Sequence, residues 1–184
     1  MPVEVAPAQK HGRKGFVVLG AFLIAGHLLA VAPARAQSAP SEADFVTKVV
    51  ISDIFEIEAG KLAEEKATPN AGRLATPVIK DHTAMLAEMK SLVQSGKVKA
   101  ELPAALDAPS QGTIDKLKTL KGGAFDKIYL KSQLDAQKEN VARFERYAKN
   151  GSNSELKTFA SKYLPSLEKH LKDVGDVRAV LLDE

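Results

Sequence analysis

The chain has 184 residues, with 26 Lys and Arg against 23 Asp and Glu, 45% hydrophobic and 27% charged residues, and no cysteine. These values exclude wholesale disorder and point to one domain of ordinary size. The absence of cysteine excludes disulfides, thiol nucleophiles, thiolate zinc sites and iron–sulfur ligation.

Residues 1–36 read as a signal peptide. Lys10, Arg13 and Lys14 precede a 17-residue apolar run from Phe16 to Ala32, and Ala34-Arg35-Ala36 supplies a small-x-small cleavage site, so the mature chain starts at Gln37. The expected location is periplasmic or secreted. Because the apolar run sits at the short edge of a bilayer span, anchoring by an uncleaved N-terminal helix is the alternative. Arg13-Lys14 lacks the second arginine of a twin-arginine signal. Removing residues 1–36 takes four basic residues (Lys10, Arg13, Lys14, Arg35) and Glu4, which leaves 22 basic and 22 acidic residues of the original 26 and 23. The formal charge of +3 therefore belongs to the targeting segment. No basic run or aromatic-basic interleaving follows it, so neither a nucleic-acid partner nor stable membrane insertion after signal cleavage is expected. A homo-oligomer stays open.

Residues 37–43 form a flexible lead-in and residues 44–182 a four-helix bundle domain. The first helix runs from Asp44 to about Ala67, where Thr68-Pro69-Asn70-Ala71-Gly72 forms a breaker. The second spans Arg73 to Gln94 and closes at Ser95-Gly96, with Pro77 near its start. A long connection from Gly96 to Gly123 carries Pro103, Pro109, Gly112 and Gly122, and only Thr113 to Leu120 has a helical pattern. The third helix covers Ala124 to Lys149. Asn150-Gly151 closes it, and Ser152 or Ser154 caps the fourth, which continues to Leu182. No strand alternation, repeat or low-complexity tract is present. Short turns pair the first helix with the second and the third with the fourth, and the long connection is suited to cross the bundle. The expected fold is all-α: a ferritin-like four-helix bundle with a crossover between the second and third helices. A simple up-down bundle is the alternative.

The informative residues are polar groups inside apolar stripes. His82 sits among Val78, Ile79, Met85, Leu86 and Met89 of the second helix, and His170 fills the slot between Leu167 and Val174 of the fourth. Gln137 centres the stripe of Leu130, Leu134, Val141 and Phe144 in the third. The first helix is apolar on more than one side. Glu58 lies among Ile51, Ile54, Phe55 and Leu62, whereas Glu56 shares a small-residue face with Val49, Ser52, Ala59 and Ala63, so either carboxylate can point inward. At 1.5 Å per residue, Glu58 and His82 lie roughly 17 and 19 Å from the first turn, and Gln137 and His170 roughly 22 and 28 Å from the turn at Gly151. The four helices can thus share one polar layer. Imidazoles converging with a carboxylate in a dry bundle are transition-metal ligands, so a single transition-metal ion held by Glu56 or Glu58, His82 and His170, beside Gln137, is one reading. A buried hydrogen-bond network is the other. Di-iron Glu-x-x-His pairs are missing, because Ile79 and Leu167 stand three residues before the histidines. Met85 and Met89 read as core filling rather than as a soft copper site.

The segments Glu56-Ile57-Glu58-Ala59-Gly60-Lys61-Leu62-Ala63, Asp81-His82, Gly123-Ala124-Phe125-Asp126-Lys127-Ile128-Tyr129 and Leu164-Pro165-Ser166-Leu167-Glu168-Lys169-His170-Leu171 resemble, in order, the motifs of the domain-of-unknown-function 4142 family. The resemblance covers about Asp44 to Val177 and implies an exported bacterial protein with a ferritin-like helical bundle, without implying an activity. Glu56, His82 and His170 match characteristic positions of that family. Where the family usually has a histidine in the third helix, this chain has Gln137, a poor metal ligand beside imidazole. The expected function is a non-enzymatic periplasmic helical module in envelope maintenance or stress response. The alternative is a metal-binding ferritin-like protein. Ser-His-Asp hydrolysis is disfavoured because no nucleophile motif, such as Gly-x-Ser-x-Gly, is present.

Overall fold

The structure, a computed structural model, describes residues 40–182. The signal-peptide reading of residues 1–36 and the start of the lead-in lie outside that range. The described residues are all-helical, with five helices of eleven residues or more and one isolated turn: α1 (Glu42–Lys66), α2 (Pro69–Gly72), α3 (Ala75–Gln94), α4 (Ala108–Lys118), α5 (Gly122–Asn150) and α6 (Ser154–Leu182). None of these helices is long and apolar enough to cross a membrane.

Capping chemistry explains where the boundaries differ from expectation. α1 starts two residues before Asp44 because Ser41 Oγ accepts the Asp44 N–H at 3.4 Å, and Glu42 and Asp44 place negative charge in the first turn. The Thr68–Gly72 breaker does end α1, yet it forms a helical turn of its own. Pro69 occupies the first turn, where its missing N–H costs nothing, and Gly72 N donates to Thr68 O at 2.8 Å. The helical piece of the long connection begins at Ala108 rather than Thr113, because Asp107 Oδ1 accepts the Ser110 N–H at 2.9 Å. α6 is capped by Asn153 and not by Ser152 or Ser154: Asn153 Oδ1 accepts the N–H groups of Glu155 and Leu156 at 2.9 and 3.2 Å. Gly96 follows α3 at φ 74°, the left-handed cap conformation expected of Ser95-Gly96. Gly151 has φ −62° and is needed for space instead, since a Cβ there would run into the Tyr147 ring.

Residue pairs between helices give their directions. α1 and α3 run antiparallel: Asp53 meets His82, Thr76 Oγ1 donates to Glu64 at 3.0 Å, and Gly60 lets Ile79 come so near that a Cβ at position 60 would lie 2.6 Å from its Cγ1. α1 and α5 are also antiparallel. The Phe45 and Tyr147 ring centres lie 4.1 Å apart, Ser52 bonds Asn140, and Thr68 N donates to Asp126 at 3.0 Å. Between α3 and α6, the Tyr163 hydroxyl donates to Glu88 at 2.7 Å while His82 faces His170.

The apolar interior divides in two. One cluster gathers Phe45, Val49, Met85, Met89, Phe144, Tyr147 and Phe159, and the other Ala59, Ala63, Ala75, Ile114, Phe125, Tyr129 and Val174. Asp53, Glu56, His82, Gln133, Gln137 and His170 are buried between the residues of these clusters along their helices.

Candidate functional site

A residue on an α-helix turns 100° from its neighbour, so positions 49, 53, 56, 60 and 63 line one side of α1. That side carries Val49, Asp53, Glu56, Gly60 and Ala63, all of them buried. Glu56 is 0% exposed and settles which of the two candidate glutamates faces the interior. Glu58, two positions and about 200° further round, is half-buried and takes no part in the hydrogen bonds of the layer.

Both oxygens of Glu56 are met by amides from successive turns of α5. Gln133 Nε2 donates to Oε2 at 2.6 Å and Gln137 Nε2 to Oε1 at 3.2 Å. The same Gln137 nitrogen lies 3.4 Å from His82 Nε2. His82 Nδ1 lies 2.8 Å from Asp53 Oδ1. With the carboxylate as acceptor, the imidazole proton sits on Nδ1, and Nε2 accepts from the Gln137 amide. This set of roles uses both hydrogens of the Gln137 amide.

The second imidazole is held differently. The centre of the His170 ring lies 6.1 Å from that of His82, and its Nε2 is 3.0 Å from Asp81 Oδ2, close enough for an ion pair yet out of line for a hydrogen bond. Asp81 is about one-third exposed, whereas His170 is buried. Three buried polar atoms of the layer have no partner: Asp53 Oδ2, Gln137 Oε1 and His170 Nε2. A cleft of about 360 Å³ between α3 and α6 has His170 and Gln133 in its lining, beside Leu74, Val78, Lys169 and Asp173. A larger groove of about 500 Å³ on the α1–α4–α5 side reaches Ser52, Asn140 and Arg143 but neither histidine.

Burial dominates the ionisation of this layer. It pushes the Asp53 carboxyl well above the ordinary carboxylate range against the pull of Arg143, and raises Glu56 against the opposing effects of His82 and the Gln133 amide. It lowers both histidines. Glu56 and Asp81 oppose the shift at His82; at His170 the neighbouring His82 reinforces it and Asp81 opposes it. Burial therefore favours neutral imidazoles at both positions. As the side chains stand, no three His, Asp or Glu groups among the described residues are arranged to hold a metal ion.

Of the residues expected to share a layer, Glu56, His82, Gln137 and His170 are brought together, and Glu58 is not. Three further members went unforeseen: Asp53, Gln133 and Asp81. Asp53 stands three residues before Glu56 on the small-residue face, and Gln133 four before Gln137, so helical spacing carried a signal for both. Asp81 adjoins His82 in sequence but serves His170, a pairing set by how α3 meets α6.

The family model described as "Domain of unknown function (DUF4142)" matches residues 29–177. Among solved structures, the crystal structure of a DUF305 protein from Streptomyces coelicolor, assigned as secreted, is similar to this chain with a TM-score of 0.62 and 16% identity, covering 76% of this chain and 93% of that one. At that identity the likeness is one of fold. No curated protein matches the chain.

Proposed function

The chain belongs to the DUF4142 family, and on that premise we propose that it is an exported, non-enzymatic helical module that acts from the periplasm through its surface, in envelope maintenance or stress response. Its bundle is ferritin-like, with a crossover. In support, α1 is antiparallel to both α3 and α5, so α3 and α5 point the same way and the segment between them, with α4 in its middle, has to return along the bundle.

The observation that carries the non-enzymatic reading is that the groups suited to acid-base chemistry bind one another. Both oxygens of Glu56 and both ring nitrogens of His82 have protein partners, and these two residues are 0% and 1% exposed. A general acid or base has to come within hydrogen-bond reach of its substrate, which these two do not. Protein recovered from the periplasm should begin at Gln37 by N-terminal sequencing and contain well under one metal ion per chain by elemental analysis. A full-length, membrane-bound product would overturn export, and stoichiometric metal would overturn a layer that is only structural.

A second reading is favoured by one observation. The three unpartnered atoms Asp53 Oδ2, Gln137 Oε1 and His170 Nε2 belong to residues that each adjoin His82, and such groups call for an ion or ordered water. On this reading the layer binds a metal.

A further inference from the structure

We propose that the cleft between α3 and α6 binds an elongated hydroxylated monocarboxylate, a phenolic acid or a hydroxy fatty acid, whose carboxylate pairs with Arg73 and whose hydroxyl donates to Gln133 Oε1. Such a site goes beyond the surface-acting module and needs no metal in the central layer.

The shape follows from how the two helices meet. Glu88 bonds Tyr163, and seven residues on along each helix Asp81 meets His170, so α3 and α6 are antiparallel and the next such step sets Leu74 opposite Val177. The cleft occupies that step, with Arg73 and Val78 lining it from α3, His170, Val174 and Val177 from α6, and Gln133 from α5. At 1.5 Å per residue it is about 10 Å long. Its volume of about 360 Å³ lies at the small end of the range for small-molecule sites, about 300–1,000 Å³, so its occupant is slender.

The two ends differ in chemistry. At the inner end Gln133 and His170 are 1% and 4% exposed. Gln133 spends its amide nitrogen on Glu56 at 2.6 Å, which fixes the amide and turns Oε1 away from that carboxylate. That oxygen accepts no hydrogen bond among the described residues, yet it is not sealed in the interior as His170 Nε2 is, so it is an acceptor open to the cleft that Gln133 lines. A hydroxyl supplies the missing donor. A carboxylate is unwelcome there, because burial favours a neutral His170 and Asp81 lies 3.0 Å from its Nε2.

The other end is cationic. The carboxylates of the cleft, Asp173 and Asp176, are held by Lys169 and Lys172 of their own helix, whereas Arg73 is exposed and forms no ion pair among the described residues. α3 starts beside it with neither a side-chain cap nor an acidic residue in its first turn, so its first N–H groups add to the positive potential of the guanidinium. Between the ends Leu74, Val78, Val174 and Val177 form an apolar wall, which an inorganic anion would leave uncovered.

The test titrates purified, chelator-treated protein with para-hydroxycinnamate and, separately, with ω-hydroxydecanoate, followed by calorimetry. Saturable binding of one molecule per chain is expected for at least one probe, and the tighter of the two tells whether the apolar body is aromatic or aliphatic. Replacing the acid by its methyl ester, or the protein by Arg73→Gln, should each weaken binding by about 10-fold. The matching probe without its hydroxyl, cinnamate or decanoate, should bind about 3–10-fold more weakly. Arg73 is exposed, so its variant keeps the fold, and the comparisons between probes need no variant at all. Failure of both probes to bind at millimolar concentration overturns the proposal. So does an ester that binds as tightly as its acid, or full affinity in Arg73→Gln. A probe that loses nothing with its hydroxyl overturns the contact with Gln133. Metal is absent throughout, so each of these outcomes is independent of the metal reading of the layer.

Discussion

Phe45, Phe144, Tyr147 and Phe159 fill one end of the bundle with rings whose centres lie 4.1 to 5.9 Å apart. A few turns along the same helices, Asp53, Glu56, His82, Gln133 and Gln137 fill the interior with polar atoms that are just as buried. At the aromatic end each ring is stabilised by leaving water and by packing, a non-directional gain that does not depend on the chemistry of any one neighbour. In the layer the buried oxygens of Glu56 and ring nitrogens of His82 are tolerable because their neighbours satisfy them, and removing one partner leaves another group stranded. The first region sets how stable the bundle is. The second fixes the register in which α1, α3 and α5 meet, because a shift of one residue would leave Glu56 and His82 unpaired.

The largest expected effect lies at the aromatic end. Phe144→Ala removes a ring that contacts Phe45 and Phe159 and is 2% exposed; it should lower unfolding free energy by about 3–5 kcal/mol in urea titration. A smaller loss than that of His82→Ala would break the comparison, since transfer and cavity terms would then rank below polar satisfaction.

His82→Ala comes next, at about 1–3 kcal/mol, because Asp53 Oδ1 loses its partner inside the core. The sharper measurement is the double variant. His82→Ala combined with Asp53→Ala should cost less than the two single losses added, since the stranded carboxylate is gone. Phe45→Ala with Phe144→Ala removes two packed rings without stranding a polar group, and should lack that recovery.

Of these two regions, only the layer should respond to pH between about 5 and 7. Burial holds His170 below its ordinary 6.5, so its contribution to stability is fully present above pH 6.5 and lost as pH falls through the folded value. Asp53 and Glu56, raised from 3.8 and 4.5, contribute in the opposite sense: their stability is present below those values and lost as pH rises. In metal-free buffer, His170→Gln should therefore show a deficit relative to the parent that narrows from pH 7 to pH 5. The deficit of Phe144→Ala should stay constant over the same range. Urea titrations at both values decide, and a constant His170→Gln deficit would show that the imidazole is not buried neutral.

Helix ends followed from punctuation and periodicity, because Pro69, Gly96 and the Asn150-Gly151 stop act through local chemistry written in consecutive residues. Start positions were less legible. Asp107 and Asn153 cap through side chains whose use depends on which of several polar residues wins locally. The central layer was half legible. His82, His170 and Gln137 interrupt strong stripes, so an apolar pattern exposes them; α1 has apolar residues around most of its circumference, so no stripe separates Glu56 from Glu58 or draws attention to Asp53. Asp81 was beyond reach, because its partner lies 89 positions away on a helix whose approach is set by tertiary packing.

The smallest expected effect concerns that ambiguity. Glu58 is half-buried on α1, and none of the amides of α5 reaches it. Its carboxylate therefore keeps contact with water, and Glu58→Gln should change stability by no more than about 0.5 kcal/mol. Glu56→Gln is the same chemical change on the opposite side of the helix. It places an amide where Gln133 and Gln137 both present N–H groups, so one donor faces another donor, and it should cost about 1–3 kcal/mol. Similar losses for the two variants would mean that the inward face of α1 lies between positions 56 and 58. The pairing of Glu56 with α5 would then give way to a different rotation of α1 in the bundle.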